Sequence, residues 1–214
     1  MEALEDRSLP STLLVTSQAD DGTLGTIRYE VGLANSGDTI AFALPIGTTS
    51  VSLSKGEILI NKNLTINGGG DSVSAGGNSR IFEIGPAATV TMTNLTLDNG
   101  FDATGGGGAI RNEGNLTLVS CYLFTNTSKG GDGHGIPGAT PGVSGGGGAG
   151  GGGAISNLGS LTINNSTLFN NYAQGGAGAN ANDYQGAGGG GGGFGGAVFD
   201  LGGVVTITDS TFTG

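Results

Sequence analysis

The stretch GGGGAIRNEGNLTLVSCYLFTN, residues 105–126, returns without a gap as GGGGAISNLGSLTINNSTLFNN at residues 150–171. A third copy, GGAVFDLGGVVTITDSTFTG, fills residues 195–214 with one residue inserted. Glycine runs ordinarily read as linkers. Each of these runs leads instead into an Ala plus β-branched pair, a second turn and an apolar-Thr-apolar triplet. Self-similarity at a fixed period marks a stack of like units, and it takes precedence over local propensity.

The triplet reaches further back than the glycines do. It occurs as Leu64-Thr65-Ile66, Val90-Thr91-Met92, Leu116-Thr117-Leu118, Leu161-Thr162-Ile163 and Val205-Thr206-Ile207, at steps of 26, 26, 45 and 44 residues. The two long steps contain the two glycine-rich windows, residues 130–153 and 175–196, which hold 26 of the 48 glycines. One unit of about 26 residues, interrupted by Gly-rich insertions at about 129–149 and 174–192, accounts for all the spacings.

An apolar-Thr-apolar triplet has period 2, so Leu116 and Leu118 share one face and Thr117 takes the other. Val, Ile and Thr favour strands. A unit of two or three short strands cannot bury its apolar face alone, but stacking on its neighbours buries it. Stacking at the interstrand spacing of roughly 4.8 Å generates interior columns. One is expected to hold Ile84, Ile110, Ile155 and Val198, and another Val90, Leu116, Leu161 and Val205, with Leu118, Ile163 and Ile207 beside it. In-register apolar columns are what an all-β parallel β-helix requires. Gly108, Gly153 and Gly196 read as tight corners, and Ala109, Ala154 and Ala197 as small residues where bulk would not fit. Asn112 with Asn157, and Asn126 with Asn171, are candidate ladder pairs along the stack. The glycines within the two insertions read as flexible filler, whose removal would leave the stack intact.

Residues 1–11 read as a leader and residues 12–50 as an N-terminal cap of strand, short helix and strand. Within the cap, Leu24, Ile27, Val31 and Ala34 fall at helical spacing between Gly22 and Ser36-Gly37. A helix there would cover the open end of coils running over residues 51–214.

Composition removes several functions. The net charge is −10 and no Lys or Arg follows Lys129. Nucleic acid, which needs Lys or Arg against phosphates, and anionic membrane surfaces are therefore not expected partners. No apolar run approaches the roughly 20 residues of a membrane helix, so membrane insertion by this segment is not expected. No signal peptide is visible. The one cysteine, Cys121, excludes an internal disulfide and reads as a small apolar side chain.

The GGA[IV] pair, the LT[LI] triplet and the Asn-bearing segment resemble the repeats of bacterial polymorphic outer membrane proteins and related surface β-helix repeat proteins. DDGTLGTIRYEVGLANSGDTIAF resembles the capping segment that precedes such helices. The resemblance spans roughly residues 13–214. It implies a right-handed parallel β-helix, a pectin-lyase-like solenoid, with a short N-terminal capping helix and an extracellular or cell-surface location. Two departures stand out: Leu123 and Leu168 replace the Phe that usually opens the repeat-ending motif, and the third copy stops in mid-motif, which reads as truncation.

Many proteins of this architecture cleave polysaccharides, so carboxylate pairs need weighing. The acidic candidates are Asp98 with Asp102, in DNGFDATG, and Asp20 with Asp21. Neither pair has Lys or Arg beside it in the sequence, and Asp is a common turn residue. His134 has only Asp132 nearby, so no metal site and no cofactor are expected. The outward Thr65, Thr91, Thr117, Thr162 and Thr206 form one row suggestive of an ice-binding face, but the neighbouring row of Asn63, Thr89, Asn115, Ser160 and Val204 is mixed. Asn-x-Ser/Thr sites at Asn63, Asn94, Asn115, Asn126 and Asn165 read as structural. The expected function is a non-catalytic, structural or adhesin-like surface module whose partners are glycans or surface molecules of a host or neighbouring cell. The alternative is a carbohydrate-active enzyme, a polysaccharide lyase or glycoside hydrolase, or its inactive relative.

Overall fold

A computed structural model describes residues 9–134, 146–179 and 189–214. It is built from short parallel strands and, among the described residues, one helix. Every strand pairs in parallel with its counterpart one repeat earlier or later, as in a stacked solenoid.

The longest sheet has seven strands in chain order: Thr12–Val15, Thr39–Phe42, Leu64–Asn67, Thr89–Thr93, Asn115–Val119, Ser160–Asn164 and Val204–Thr208. Its register joins Leu13, Ile40, Ile66, Met92, Leu118, Ile163 and Ile207 in one inward column. A second column joins Leu64, Val90, Leu116, Leu161 and Val205. A second sheet of six strands, from Ser50–Ser52 to Thr211–Thr213, contributes Val51, Val73, Leu97, Leu123, Leu168 and Phe212. The third, of five strands from Ile58–Ile60 to Val198–Asp200, closes the core. Burying each Leu or Ile contributes about 1.5–3 kcal/mol, and the columns merge into one hydrophobic cluster.

One expected column is out of register. Ile110 lies against Phe82, not Ile84, so the column runs Ile58, Phe82, Ile110, Ile155 and Val198. The cause is turn length: four residues, 85–88, separate Ile84 from Thr89, whereas only Glu113 and Gly114 separate Asn112 from Asn115. Ile84 consequently precedes Asn112 in a neighbouring column that changes character, from Ile60 and Ile84 to Asn112, Asn157 and Asp200.

Two corners between sheets stack as well. Asn94, Ser120, Asn165 and Asp209 take φ of 47–54° at one, and Asn99, Thr125 and Asn170 take 50–54° at the other. Asn tolerates this left-handed conformation better than most side chains. That accounts for the placement of Asn94 and Asn165 without any glycan. In GGGGAI the third glycine, Gly107, has φ of +81°, and a Cβ on Gly108 would run into the carbonyl of Gly153 in the next repeat. Ala109 and Ala154 behind them are fully buried.

The helix spans Ile27–Leu33. Thr26 is its N-cap, accepting from the Tyr29 NH, and Ile27 and Val31 face the first two strands of the long sheet. Leu24 does not belong to its buried face; it is 75% exposed in the turn ahead of the N-cap. The boundary expected at 50/51 falls inside the strand Ser50–Ser52, and the long sheet runs unbroken from residue 12. Residues 1–8 lie outside the described residues.

The insertions are not filler at their roots. Gly148 N donates to Gly131 O at 2.7 Å, Gly176 N to Gly148 O at 2.8 Å, and Gly191 N to Gly176 O at 2.8 Å. A Cβ at Gly147, Gly176 or Gly191 would overlap a neighbouring carbonyl. Glycine is there because backbones meet directly. The centres of both insertions, residues 135–145 and 180–188, lie outside the described residues.

Candidate functional site

A concave surface lies beside the second and third sheets, where residues 55–57, 78–80 and 101–103 of successive repeats line a cleft of about 480 Å³. Arg80 organises it. Its side chain is 7% exposed and all three nitrogens donate: Nε to Gly107 O at 3.0 Å, Nη1 to Glu57 Oε2 at 2.6 Å, and Nη2 to Asp102 Oδ1 at 2.7 Å. Glu83 adds a longer contact at 3.8 Å. A guanidinium suits this role because its planar fork reaches several acceptors at once.

Asp102, a catalytic candidate from sequence, is saturated. Oδ1 accepts from Arg80 and from the Thr104 hydroxyl, while Oδ2 accepts from Thr104 N at 3.0 Å and Gly106 N at 2.6 Å. A general base needs a lone pair aimed at the proton it removes, and this carboxylate has its oxygens committed to folding the GGGG corner. Asp98 ends a strand of the second sheet, is 7% exposed and accepts from Asn99 Nδ2 at 2.6 Å. The two carboxylates thus serve different neighbours, and of the two only Asp102 lines the cleft.

The sequence reading missed Arg80, since 22 residues separate it from Asp102. Folding the chain onto its 26-residue repeat would have placed them one coil apart. It missed Arg28 in the same way. Asp20, with a fully buried side chain, receives Arg28 Nε at 2.6 Å and Nη2 at 2.9 Å, along with the backbone NH groups of Ser54 and Lys55. Burial pushes the Asp20 pKa up, but the Arg28 hydrogen bonds and the two backbone donors outweigh it and hold the carboxyl below its ordinary value. Asp21 accepts from the NH and hydroxyl of Thr23, an Asx turn that keeps its pKa low.

The remaining candidates have structural neighbours. Asn112 donates to Asn157, and Asn126 Nδ2 donates to Asn171 Oδ1 at 2.9 Å while its own Oδ1 accepts from Gly100 N. Asp132 joins the insertions, accepting from Lys129 Nζ and Ala177 N; His134 beside it is exposed. Among the described residues no three His, Cys, Asp or Glu side chains gather to hold a metal ion. Cys121 is buried and its thiol pKa is raised by that burial. The outward threonine row extends to Thr12 and Thr39, which pair in register with Thr65. No described helix is long and apolar enough to cross a membrane.

No protein-family model matches the chain, and neither curated proteins nor solved structures include a match.

Proposed function

We propose that this chain is a non-catalytic structural or adhesive module, exposed at a cell surface or secreted, whose stacked coils form a right-handed parallel β-helix capped by the helix Ile27–Leu33. The observation that carries the functional reading is the closure of the Arg80 cluster. Arg80, the cation at the centre of this cleft, is spent on Gly107, Glu57 and Asp102, and Asp102 is spent on holding a glycine corner. Charged groups that satisfy one another rigidify a wall and leave little to act on a substrate.

Three further features favour the architecture. Parallel strands joined within one sheet cross over right-handedly in about 98% of cases. Each coil stacks its apolar residues in register on those of the coils before and after it, as a solenoid does. The helix lies over the first two strands of the long sheet, where an unpaired edge needs cover.

The test is turnover on a panel of neutral and uronate-bearing polysaccharides, followed by reducing ends and by absorbance of unsaturated uronate. The expected result is no product. Product that disappears in Asp102→Asn, with the fold intact by circular dichroism, would establish the carbohydrate-active alternative instead.

A further inference from the structure

The outward face of the second sheet carries two in-register columns. One reads Ser50, Ser72, Thr96, Tyr122, Thr167, Thr211, and the other Ser52, Ser74, Asp98, Phe124, Phe169, Thr213. Hydroxyl side chains fill most of these positions, and three aromatic rings interrupt them together, on adjacent strands. Tyr122 and Phe124 stack at 5.2 Å with 26° between their planes, and Phe169 follows Phe124 on the next strand. Around the left-handed corner formed by Thr125 and Asn170, Tyr172 stands in register with Thr127, itself in register with Phe101 on the rim of the Arg80 cleft.

These rings are not core residues. Tyr122, Phe169 and Tyr172 are 37%, 42% and 59% exposed, whereas the inward Leu123 and Leu168 between them are fully buried. The core is built from the leucines, and the rings lie outside it, with Phe124 half-buried against Tyr122. A strand former such as Thr, used at Thr96 and Thr167 on the same face, would serve the sheet equally well.

We propose that this face is a docking site for a neutral polysaccharide, with pyranose rings stacking on the exposed Tyr122 and Phe169 while the half-buried Phe124 backs Tyr122. The inference rests on the non-catalytic, adhesive reading above and supplies its partner. Aromatic faces attract apolar C–H surfaces, and a sugar ring presents such a surface edged by hydroxyls that can hydrogen-bond to the flanking Ser and Thr. Charge narrows the class: these columns contain no Lys or Arg, and their one charged residue, Asp98, is buried and bonded to Asn99. A uronate polymer would find nothing to neutralise it. Area argues against a second copy of the chain. A fully buried aromatic covers about 150–250 Å², so three partly exposed rings offer on the order of 300 Å², well short of the roughly 800 Å² per partner of a stable protein interface.

The experiment is retention of the full chain on cellulose, chitin, and soluble β-glucan and xylan immobilised in native gels, with polygalacturonate as the acidic control. The variants are Phe169→Ala alone and Tyr122→Ala with Phe169→Ala, and the thermal midpoint of each reports folding. We expect retention on at least one neutral polymer, weakened about tenfold by Phe169→Ala and abolished in the double variant, with midpoints unchanged. No retention on any neutral polymer, binding to polygalacturonate alone, or binding that survives the double substitution overturns the proposal. A wild-type dimer in sedimentation equilibrium that Phe169→Ala dissolves overturns it in favour of self-association. If a variant unfolds, Phe169→Leu, which keeps the apolar volume without the ring, must lose retention equally. Failure here leaves the non-catalytic reading standing, because that reading is decided by product release.

Discussion

The side-chain amide of Asn112 donates to Oδ1 of Asn157 at 2.6 Å, one repeat along the stack, and Asn157 in turn donates to Asp200 at 2.7 Å and to Gly159 O at 3.0 Å. Both asparagines are fully buried, in a column that earlier repeats fill with Ile60 and Ile84. The ladder therefore replaces apolar packing with a chain of hydrogen bonds. It begins incompletely: Asn112 Oδ1, whose neighbour in the preceding repeat is Ile84, has no partner.

That asymmetry predicts unequal costs. Asn157→Ala removes an acceptor from Asn112 and two donated bonds, and should destabilise by roughly 2–3 kcal/mol. Asn112→Ile exchanges one unpartnered oxygen for another, Asn157 Oδ1, and gives up the bond to Ser160 O, but it adds a buried Ile to the isoleucine column, and that apolar gain should make it the cheaper of the two by about 1 kcal/mol. Urea midpoints at constant m-value give the order directly; equal losses would mean that the ladder is not what stabilises this column.

Arg80 offers a second comparison. Arg80→Met leaves Asp102 without its buried cation and the Gly107 carbonyl unpaired, a loss of about 3–5 kcal/mol. Asp102→Asn keeps an acceptor for Thr104 and Gly106 and should cost less. Because Arg80 and Asp102 are almost wholly shielded from solvent, raising salt to 0.5 M should narrow the gap between wild type and Arg80→Met little. Strong salt dependence would show that the cluster is open to water.

What the sequence made legible follows from how each feature is written in it. Strand triplets and Asn positions recur at the period, so Leu116 over Val90, or Asn157 over Asn112, could be read from spacing alone. Features that depend on the length of one turn could not. The two extra residues of the 85–88 turn shifted Ile84 out of the column expected for it, although the overall step stayed at 26. Charge partners were hidden for a related reason: Arg80 and Asp102, or Arg28 and Asp20, each occur once, so no repeat announces them. The glycine windows misled because composition reports freedom of the backbone and not what packs against it. The aromatic face was dispersed in the sequence, with 45 residues between Phe124 and Phe169, and only the register brings those rings to adjacent strands.

The insertion roots make a discriminating pair of glycines. A Cβ on Gly176 would collide with the backbone of Gly130 and Gly131, while a Cβ on Gly131 meets nothing within 4 Å. Gly176→Ala should destabilise by about 1–3 kcal/mol through overpacking, and Gly131→Ala should be neutral or slightly stabilising by restricting the unfolded chain. Thermal melts of the two variants suffice. If both are silent, the roots are as loose as their composition suggests, and deleting residues 130–148 would then leave the stack unharmed.

Acid should reveal the N-terminal ties. Asp20 is buried, which raises its pKa, but the Arg28 side chain and the NH groups of Ser54 and Lys55 more than reverse this and set it below the ordinary 3.8. Asp38 is lowered by the NH groups of Ser11 and Asn35, which its two oxygens accept at 2.7 Å each. A carboxylate whose folded pKa lies below its unfolded value binds fewer protons folded than unfolded near that pH, so it stabilises the fold above the unfolded value of about 3.9. That contribution is complete at neutral pH and is lost as pH falls below 4 through the folded pKa. Unfolding free energy should hold a plateau from pH 7 to about 5 and decline below 4. Asp20→Asn should lose on the order of 3 kcal/mol at pH 7, because Arg28 keeps its charge without a counterion. Its acid limb should be shallower, approaching wild type only at pH low enough to neutralise the wild-type carboxyl. Urea titrations of both proteins across this range are the measurement; parallel acid limbs would assign the transition to carboxylates other than Asp20.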